Sequence, residues 1–409
     1  MNRRVVITGL GTIAPNGIGK EAFWKALVDG RSGIKKITSF DVSDMPCQIG
    51  GEVEGFDPAD YLPSRLVNQL SRISQLGVVA AKMAETDARL AEIPSKRIGV
   101  AFCTNVSKSD IFDVDYNRFL ESKKLKPTLI EENTTHFSTS HIAIELGTKG
   151  PTASFSSGCT AASNAIGWGC DQIRSGRVDA VVVASAESPL FPFVFSMLCA
   201  SSFLSTTSND QPHKASKPFD ARRDGVVCSE GGATIILENL NSARNRGARI
   251  YGELLASALS SEAIDIRKFD FTGEAFAETI LTAINTAALH LSEIDYISAH
   301  GVSSRNHDLA ETNAIKHAFR DRAYHIPISS IKSMIGLTFA AAPVFQVAAC
   351  CLGIQDGIIP PTINYEVPDP ECNLDYVPNN ARVARLRNVL INAEGMGGSH
   401  SVVILGELQ

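Results

Sequence analysis

Short apolar runs recur along the chain and alternate with segments of helical periodicity. The runs cover residues 98–103, 180–184, 294–299 and 389–393. Before the third of these, Phe276, Ile280 and Ile284 follow one another at the spacing of one helix face. Apolar segments of this length fit buried strands, and strands that alternate with helices predict a sheet covered by helices. We therefore expect an α/β fold.

The N-terminal run at 4–9 predicts a buried first strand. The glycine-rich stretch at 9–17 is expected to break this strand into a loop before a helix at 21–28. Its first two glycines resemble the start of a dinucleotide-binding loop. That signal is weak, because Ala14 stands at the third glycine position and Pro15 stands where the phosphate-binding helix should begin.

The length of 409 residues fits two or three domains or one large composite unit. A charged segment at 241–249 precedes a strand-like run that begins at Ile250. We predict that this segment separates two halves, 1–250 and 251–409, which share an extensive interface. The formal net charge of −6 lacks the basic excess of a general nucleic-acid binder, so no nucleic-acid partner is expected.

The nine cysteines show no CxxC spacing and no His/Cys cluster, so neither a disulfide framework nor a metal site is expected. No run reaches the roughly 18 apolar residues of a membrane span. The apolar stretch near the N-terminus is interrupted too soon by Gly and Thr for a signal peptide. These patterns predict a cytoplasmic protein with reduced thiols and no membrane partner.

Cys159 stands at a predicted junction of strand and helix. It follows an extended Thr/Ser/Phe run and Gly158, and a helix of small residues follows it. A helix N-terminus lowers the pKa of a thiol, and its amides can stabilise an oxyanion. The alternative is that Cys159 is one more small buried residue. The small neighbours leave room for a substrate arm and favour a nucleophile.

Three later segments bring further chemical groups. His300 ends a strand at a glycine turn, where it can reach a pocket, although a lone histidine is more often structural. Lys332 stands among small and apolar residues, and the alternative is an amine that extends to solvent. The glycines of segment 392–400 allow the backbone to approach a ligand closely.

These four segments, with the start of the chain and segments 217–231 and 361–378, follow the order found in the elongating β-ketoacyl-(acyl-carrier-protein) synthases of fatty-acid and type II polyketide biosynthesis. The chain resembles this family of the thiolase superfamily over nearly its whole length. The resemblance implies a five-layered α-β-α-β-α fold of two similar halves, and a homodimer or a heterodimer with another ketosynthase-like subunit. It also implies an acyl carrier protein as partner, and no cofactor beyond the phosphopantetheine of that carrier.

By this resemblance, Cys159 takes an acyl chain from the carrier thioester, a second carrier's malonyl group is decarboxylated, and the carbanion attacks the acyl-cysteine. His300 and Lys332 match two further catalytic residues, and the backbone amides of Cys159 and Met396 match the oxyanion hole. The residues that match the substrate and pantetheine channel are Val302, Ser303, Ser304, Leu337, Gly397, Gly398 and His400.

Several positions depart from the family. The second histidine is replaced by Leu337, which cannot donate a hydrogen bond to an enolate. The other departures are Gln346 for a glutamate, Val302 for a threonine, Glu394 and Met396 for phenylalanines, and His400 for an asparagine. The nucleophile, His300 and Lys332 are spared, a pattern that favours altered chemistry over random decay.

Loss of one positioned oxyanion donor costs about 10²–10³ in rate, so Leu337 is expected to impair decarboxylative condensation more than acylation of Cys159. The first hypothesis is an acyltransferase that acylates itself on Cys159. It then either condenses in a rebuilt pocket, with His400 as the replacement donor, or passes the acyl chain to another acceptor. His400 fits a polar filler equally well, and Met396 fits an apolar plug or a gate.

Two other hypotheses remain open. One is a non-condensing partner subunit resembling a chain-length factor, although the intact Cys159 argues against it. The other is an ordinary condensing enzyme that tolerates Leu337. Carrier proteins in these pathways are acidic, so a basic docking patch is expected, although each cluster also fits a solvated face. The two clusters are Lys123, Lys124 and Lys126, and Arg222 with Arg223.

Overall fold

The computed structural model describes residues 3–105, 109–125, 129–132, 134–266 and 270–408. The strands are β1 Val5–Ala14, β2 Gly17–Ile18, β3 Lys35–Lys36, β4 Ile49–Gly50, β5 Ile98–Cys103, β6 Thr152–Phe155, β7 Ala180–Glu187, β8 Gly231–Asn239, β9 Gly252–Ser261, β10 Tyr296–Ser298, β11 Ile328–Ser329, β12 Ile358–Ile359, β13 Arg382–Val383, β14 Asn388–Gly395 and β15 Ser399–Gly406. The α-helices are α1 Lys20–Val28, α2 Ser64–Gln69, α3 Arg72–Ala88, α4 Ser109–Ser122, α5 Leu129–Glu132, α6 Thr135–Glu145, α7 Ala161–Arg174, α8 Pro192–Ala200, α9 Leu240–Asn245, α10 Glu274–Thr286, α11 Arg305–Phe319, α12 Lys332–Ile335 and α13 Ala342–Asp356. The four predicted strands correspond to β5, β7, β10 and β14, and the helical pattern near 280 corresponds to α10.

The large sheet has the strand order β11-β10-β14-β15-β9-β1-β8-β7-β5-β6, with β2 paired to β1. Its two sides have the same topology. In each half the strands, numbered along the chain, lie in the order third, second, fourth, fifth, first. The halves meet where β1 and β9 pair antiparallel, with Val6 opposite Glu253. Two copies of one topology within one chain confirm the two similar halves.

Helices cover both sheet faces and fill the space between the halves. Helix α3 packs on β1, β7 and β8, and α10 packs on β9 and β15 with α11 beside it. Helices α7 and α13 pack against each other in the centre, where they contact strands of both halves. This arrangement is the five-layered α-β-α-β-α fold.

The alternation of side chains along β7 explains the layers. Val181 and Val183 belong to the central core with Phe345 of α13, whereas Val182 belongs to the outer core with Leu76 of α3. Successive side chains of a strand point to opposite faces, so a strand that is apolar at every position must be covered on both faces. The continuous apolar run that predicted this strand therefore also accounts for the helices on its two sides.

The prediction that the N-terminal glycines break the first strand is wrong. Strand β1 continues through both of them to Ala14. A Cβ atom on Gly11 would lie 2.0 Å from the carbonyl oxygen of Ala80, and one on Gly9 would lie 2.4 Å from that of Ala84. Both carbonyls belong to α3, so these glycines permit close packing of a helix on the strand rather than a turn.

One helical stretch among the described residues, Phe339–Asp356, is long and apolar enough to cross a membrane, and 83% of it is buried inside the protein. Burial of this kind is typical of a core helix, and the stretch includes α13 of the central layer. It is weak grounds for a membrane span.

Candidate active site

Cys159 lies in the tight turn between β6 and α7, as predicted. Gly158 has φ of 66°, a backbone conformation that glycine adopts without strain. Its carbonyl accepts a hydrogen bond from the backbone N–H of Ala161, the first residue of α7, at 3.1 Å. The turn leaves Cys159 partly exposed at the start of the helix.

The electrostatics of Cys159 differ from the prediction. Burial raises the pKa of the thiol to about 12, the charge of Lys332 lowers it, and the charges of Glu187 and Glu394 raise it further. The prediction that the helix N-terminus lowers the pKa of Cys159 is therefore wrong. Desolvation of the thiolate outweighs the charges that stabilise it. The thiol is protonated near neutral pH, so its acylation includes removal of a proton.

Lys332 is the first residue of α12 and is only 1% exposed. Its Nζ donates to Oε1 of Gln346 at 3.1 Å and to the carbonyl of Ala299 at 3.5 Å. The alternative of an amine that extends to solvent is therefore wrong. Burial lowers the pKa of Lys332 to about 8, and the charge of Glu311 opposes this shift. An amine with this pKa changes its charge within the range in which an enzyme works.

Glu311 of α11 is the buried carboxylate that shapes this part of the site. Its two oxygens accept the backbone N–H groups of His300 and Gly301, each at 2.8 Å. Burial raises the pKa of Glu311 to about 7, while these hydrogen bonds and the charge of Lys332 lower it. Glu311, which fixes the His300 turn, was not among the predicted site residues.

His300 follows β10 and is 1% exposed. Burial lowers its pKa well below 6.5, and the charge of Lys332 lowers it further. No residue that the structure describes forms a hydrogen bond to its buried Nδ1. His300 is therefore a neutral imidazole, the form that the predicted enolate donor requires. Its catalytic role stays a prediction.

Cys159 packs against an apolar cluster that includes Val302 and Leu337. Both of these side chains are 2% exposed, so the position of the family's second histidine is filled by a buried aliphatic side chain. The hydroxyl of Ser303 is also buried and accepts the backbone N–H of Lys217 at 3.1 Å. Ser304 is the N-cap residue of α11. The predicted roles of these residues in a pantetheine channel stay predictions.

The glycine-rich loop between β14 and β15 passes beside the nucleophile. A Cβ atom on Gly395 would lie 3.5 Å from the backbone nitrogen of Cys159. Gly397 and Gly398 have φ of 85° and 73°, and the side chain of Met396 is 60% exposed. Met396 therefore does not plug the space beside Cys159 in this conformation. The loop therefore approaches Cys159 at Gly395, and the oxyanion hole formed by the amides of Cys159 and Met396 stays a prediction.

Two buried carboxylate–imidazole pairs each have one member on this hairpin. Glu394 and His400 are opposite each other in the β14–β15 register. Oε2 of Glu394 is 3.1 Å from Nδ1 of His307, and Nε2 of His400 is 2.9 Å from Oε1 of Glu262. The ring of His400 also stacks on Phe276, with the ring centres 4.4 Å apart. Both departures from the family sequence thus form new polar pairs.

Glu262, Glu394 and His400 each offer a ligand atom, and these atoms lie within 4.8 Å of one another. This spacing alone does not identify metal ligands. Glu262 and His400 are hydrogen-bonded to each other, and Glu394 is hydrogen-bonded to His307. The expectation of no metal stays a prediction.

His307 was not among the predicted site residues, although it lies next to His300. Its ring meets the ring of His300 edge-on at 5.7 Å between centres and that of Phe203 at 6.3 Å. Phe203 packs against the same apolar cluster as Cys159. The unusual Glu394 was the available signal, but nothing in the sequence links it to a histidine 87 residues earlier.

Arg223 is wrong as a candidate for carrier docking. Its side chain is 4% exposed and its guanidinium contacts Asp369 at 2.6 Å and Asp308 at 3.5 Å. Arg222 is half exposed and pairs with Asp220 and Glu366. Lys123 and Lys124 are exposed, and Lys126 lies outside the described residues.

A family model of the β-ketoacyl synthase N-terminal domain matches residues 2–243, and the model of the C-terminal domain matches residues 251–366. The ketoacyl synthase alpha subunit of the tetracenomycin polyketide synthase of Streptomyces glaucescens is 40% identical over 98% of this chain and 97% of its own length. The 3-oxoacyl-(acyl-carrier-protein) synthase 2 of Synechocystis sp. is 36% identical over 98% of this chain and 97% of its own length.

Two solved structures are similar over 100% of both chains, with a TM-score of 0.92 and 32% identity. One is a type II polyketide synthase acyl carrier protein in complex with its ketosynthase bound to the hexaketide. The other is the ishigamide ketosynthase/chain length factor. The similarity covers both halves of the fold.

Proposed function

Because this chain belongs to the β-ketoacyl synthase family, we propose that it takes an acyl chain from the phosphopantetheine thioester of an acyl carrier protein onto Cys159 and joins it to a second acceptor. The chain is an acyltransferase of the β-ketoacyl synthase type. In the first step the sulfur of Cys159 attacks the thioester carbonyl, the carrier sulfur leaves, and the proton of Cys159 ends on the carrier thiol.

One observation supports acylation most directly. Cys159 occupies a tight turn that the backbone of Gly395 closes from the other side, with 3.5 Å between the Cys159 nitrogen and a Cβ position on Gly395. Backbone amides at such a junction stabilise the oxyanion of the tetrahedral intermediate. The buried Lys332 adds a positive charge that lowers the pKa of the thiol. No cofactor beyond the carrier's phosphopantetheine is needed for this step.

The second half-reaction has two forms. In the first, malonyl-carrier is decarboxylated and the resulting carbanion attacks the acyl-cysteine. In the second, the acyl chain passes to another acceptor without loss of CO2. The buried Leu337 and the neutral Gln346 beside Lys332 support the second form, because the pocket lacks one enolate donor and one negative charge of the family pattern.

A dimer and a cytoplasmic location belong to the same proposal. Strand β6 ends the large sheet and pairs with β5 on one side. Among the residues that the structure describes, its other edge pairs with no strand, and open edges of this kind are templates for strand pairing. Similar chains include a ketosynthase/chain length factor. A second ketosynthase-like subunit, identical or different, fits this edge.

Intact-protein mass after mixing with octanoyl-carrier protein tests the acylation. We expect one octanoyl adduct on the native protein and on Cys199→Ala, which removes another partly buried cysteine, and no adduct on Cys159→Ala. Absence of an adduct on the native protein contradicts the proposal. The hypothesis that then remains is a partner subunit resembling a chain-length factor. Release of CO2 from malonyl-carrier by the acylated protein distinguishes the two second half-reactions.

A further inference from the structure

Two buried ionisable side chains, His307 and Glu394, form a pair next to His300. Nδ1 of His307 lies 3.1 Å from Oε2 of Glu394, and the two side chains are 4% and 0% exposed. A carboxylate on one ring nitrogen fixes the orientation of an imidazole and stabilises its protonated form. The pair therefore has the composition of a general base with its orienting group.

Three relations locate this pair at the reacting centre. The ring of His307 meets the ring of His300 at 5.7 Å between centres. Burial is the main cause of the raised pKa of Cys159, and the charge of Glu394 contributes to it, so the carboxylate lies within electrostatic reach of the sulfur. Phe203, whose ring meets that of His307 at 6.3 Å between centres, packs against the same apolar cluster as Cys159.

One oxygen of Glu394 has no partner among the described residues. Its Oε1 is buried and takes part in no hydrogen bond there. A buried acceptor without a partner is costly, and such exceptions in folded proteins are explained by a bound water or ion, a ligand or a catalytic role. This oxygen is a second, independent indication that the pair faces a ligand.

The pair also opposes the family's usual second substrate. It carries a negative charge whenever the imidazole is neutral, and a malonyl carboxylate entering the same dry pocket is repelled by it. After loss of CO2 the enolate would also lack a donor at Leu337. Neither feature weakens the approach of an uncharged acceptor.

We propose that His307, oriented by Glu394, is the general base of the second half-reaction, and that the acceptor is an uncharged nucleophile that carries an O–H or N–H group. This inference rests on the proposed function, because it requires an acyl chain on Cys159. His307 is then a catalytic residue and Glu394 a positioning residue.

The step balances without a further reactant. The acceptor oxygen or nitrogen attacks the carbonyl carbon of acyl-Cys159, and its proton moves to Nε2 of His307. The tetrahedral intermediate collapses, the carbon–sulfur bond breaks, and the electron pair stays on sulfur. The protonated His307 then returns the proton to Cys159. The products are an ester or amide and the free thiol.

The environment of His307 supports this role. Burial lowers its pKa, but the charge and hydrogen bond of Glu394 outweigh burial, so the net pKa is raised above 6.5. A base with a pKa near the working pH transfers protons most efficiently. His300, whose pKa is lowered well below 6.5, is a much weaker base, which separates the roles of the two neighbouring imidazoles.

The test measures acylation and transfer separately. Native protein, His307→Asn and Glu394→Gln are acylated on Cys159 with octanoyl-carrier, freed of carrier, and given propanol or hydroxylamine. Each of these probes must lose a proton as it attacks. The transfer rate is measured from pH 6 to pH 9, and urea unfolding gives the stability of each variant. Loss of the acyl-enzyme mass gives the rate with each probe. His317→Asn, a half-buried histidine on the same helix, is the matched control.

We expect all four proteins to form the adduct, more slowly in His307→Asn, because the same imidazole can also take the proton of Cys159. Transfer to propanol and hydroxylamine should then fall about 10²–10⁴-fold in His307→Asn and in the same direction in Glu394→Gln, and the rise of the transfer rate with pH should disappear in His307→Asn. A loss of general structure would lower the urea midpoint, whereas loss of the base removes the pH dependence at an unchanged midpoint.

Three results overturn the inference. The first is an equal rate of acyl transfer in native protein and His307→Asn. The second is a native acyl-enzyme that does not react with propanol or hydroxylamine but releases CO2 from malonyl-carrier. The third is complete absence of the Cys159 adduct in His307→Asn. Absence of an adduct on native protein contradicts the proposed function instead, so the two failures are distinguishable.

Discussion

The side-chain oxygen of Gln346 accepts a hydrogen bond from Nζ of Lys332 at 3.1 Å, in the middle of the central layer. The amide nitrogen of Gln346 donates to the carbonyls of Ser298, Ala299 and Asn392 at 3.1, 2.9 and 3.1 Å. A neutral amide thus ties the lysine to two strands without supplying a charge. Burial therefore lowers the pKa of Lys332 to about 8, and Gln346 adds no charge that would oppose this shift.

Gln346→Glu should raise the pKa of Lys332, because it places a carboxylate against the ammonium group. In the native protein the folded state releases this proton at about 8 and the unfolded chain at 10.5. Between these values the unfolded state binds more protons, so stability rises with pH, by about 3 kcal/mol across the window. The variant keeps the proton to higher pH and should lose most of this rise.

Urea unfolding at pH 7, 8, 9 and 10 gives the free energy of unfolding of variant and native protein. The contributions of other titrating groups cancel in the difference between the two. Gln355→Glu, an exposed position on the same helix, is the control, and its free energy of unfolding should rise with pH as in the native protein. If the free energy of unfolding of Gln346→Glu rises with the same slope, Lys332 does not titrate near 8 in the folded protein.

Cys159 should react slowly with iodoacetamide at pH 7, because only the thiolate attacks and its pKa is about 12. The rate should rise about tenfold per pH unit at first. Above pH 8 the rise should become shallower, because Lys332 loses the charge that lowers the thiol pKa. Lys332→Met should therefore react more slowly than native protein at pH 7 and approach it above pH 9.

Intact mass after timed alkylation gives these rates, in a Cys199→Ser background that removes a competing, partly exposed cysteine. Equal rates for native protein and Lys332→Met at pH 7 would contradict the electrostatic coupling of the two residues.

The parts of the site that depend on local sequence could be predicted. Gly158 before Cys159 predicts a tight turn at a strand–helix junction, because the signal lies within a few residues. The role of Gly9 and Gly11 could not be predicted, because it depends on a distant segment of the chain. Their role is to admit α3, whose carbonyl oxygens approach these positions from about 70 residues away in the chain, and a local pattern favours a turn.

The charges of the site could not be predicted, because they depend on burial and on distant partners. Cys159 was expected to have a lowered pKa from its helix position, yet desolvation reverses the direction. The pairing of Glu394 with His307 spans two elements that meet only in the folded protein. A single sequence gives the residue types on each element but not which of them face each other.

Arg223→Ala should destabilise the protein by about 3–5 kcal/mol, because it leaves the buried carboxylate of Asp308 without its guanidinium partner and also removes the ion pair with Asp369. Arg222→Ala is the matched control. Its side chain is half exposed. Its buried partner Asp220 also accepts the backbone N–H groups of Glu366 and Val367, so the expected change is at most about 1 kcal/mol. Urea unfolding of both variants measures the difference, and equal losses would contradict the buried role of Arg223.

Leu337→His restores an imidazole at the position where the family pattern has its second histidine. If the missing donor limits decarboxylation, CO2 release from malonyl-carrier by acylated protein should increase about 10²–10³-fold. The new side chain enters the apolar cluster that contains Val302 and burial of its polar atoms will cost stability, so the assay is run well below the unfolding temperature of the variant. Leu337→Met controls for repacking and should release no more CO2 than native protein.

The carboxylate of Glu394 sets a limit on that gain. Its charge still opposes the malonyl carboxylate in Leu337→His, so the double variant Leu337→His/Glu394→Phe should release CO2 faster than the single variant. Scintillation counting of CO2 from carboxyl-labelled malonyl-carrier gives the three rates. A native rate that already equals that of the double variant would show that neither Leu337 nor Glu394 limits decarboxylation, and the pocket would then be an ordinary condensing site.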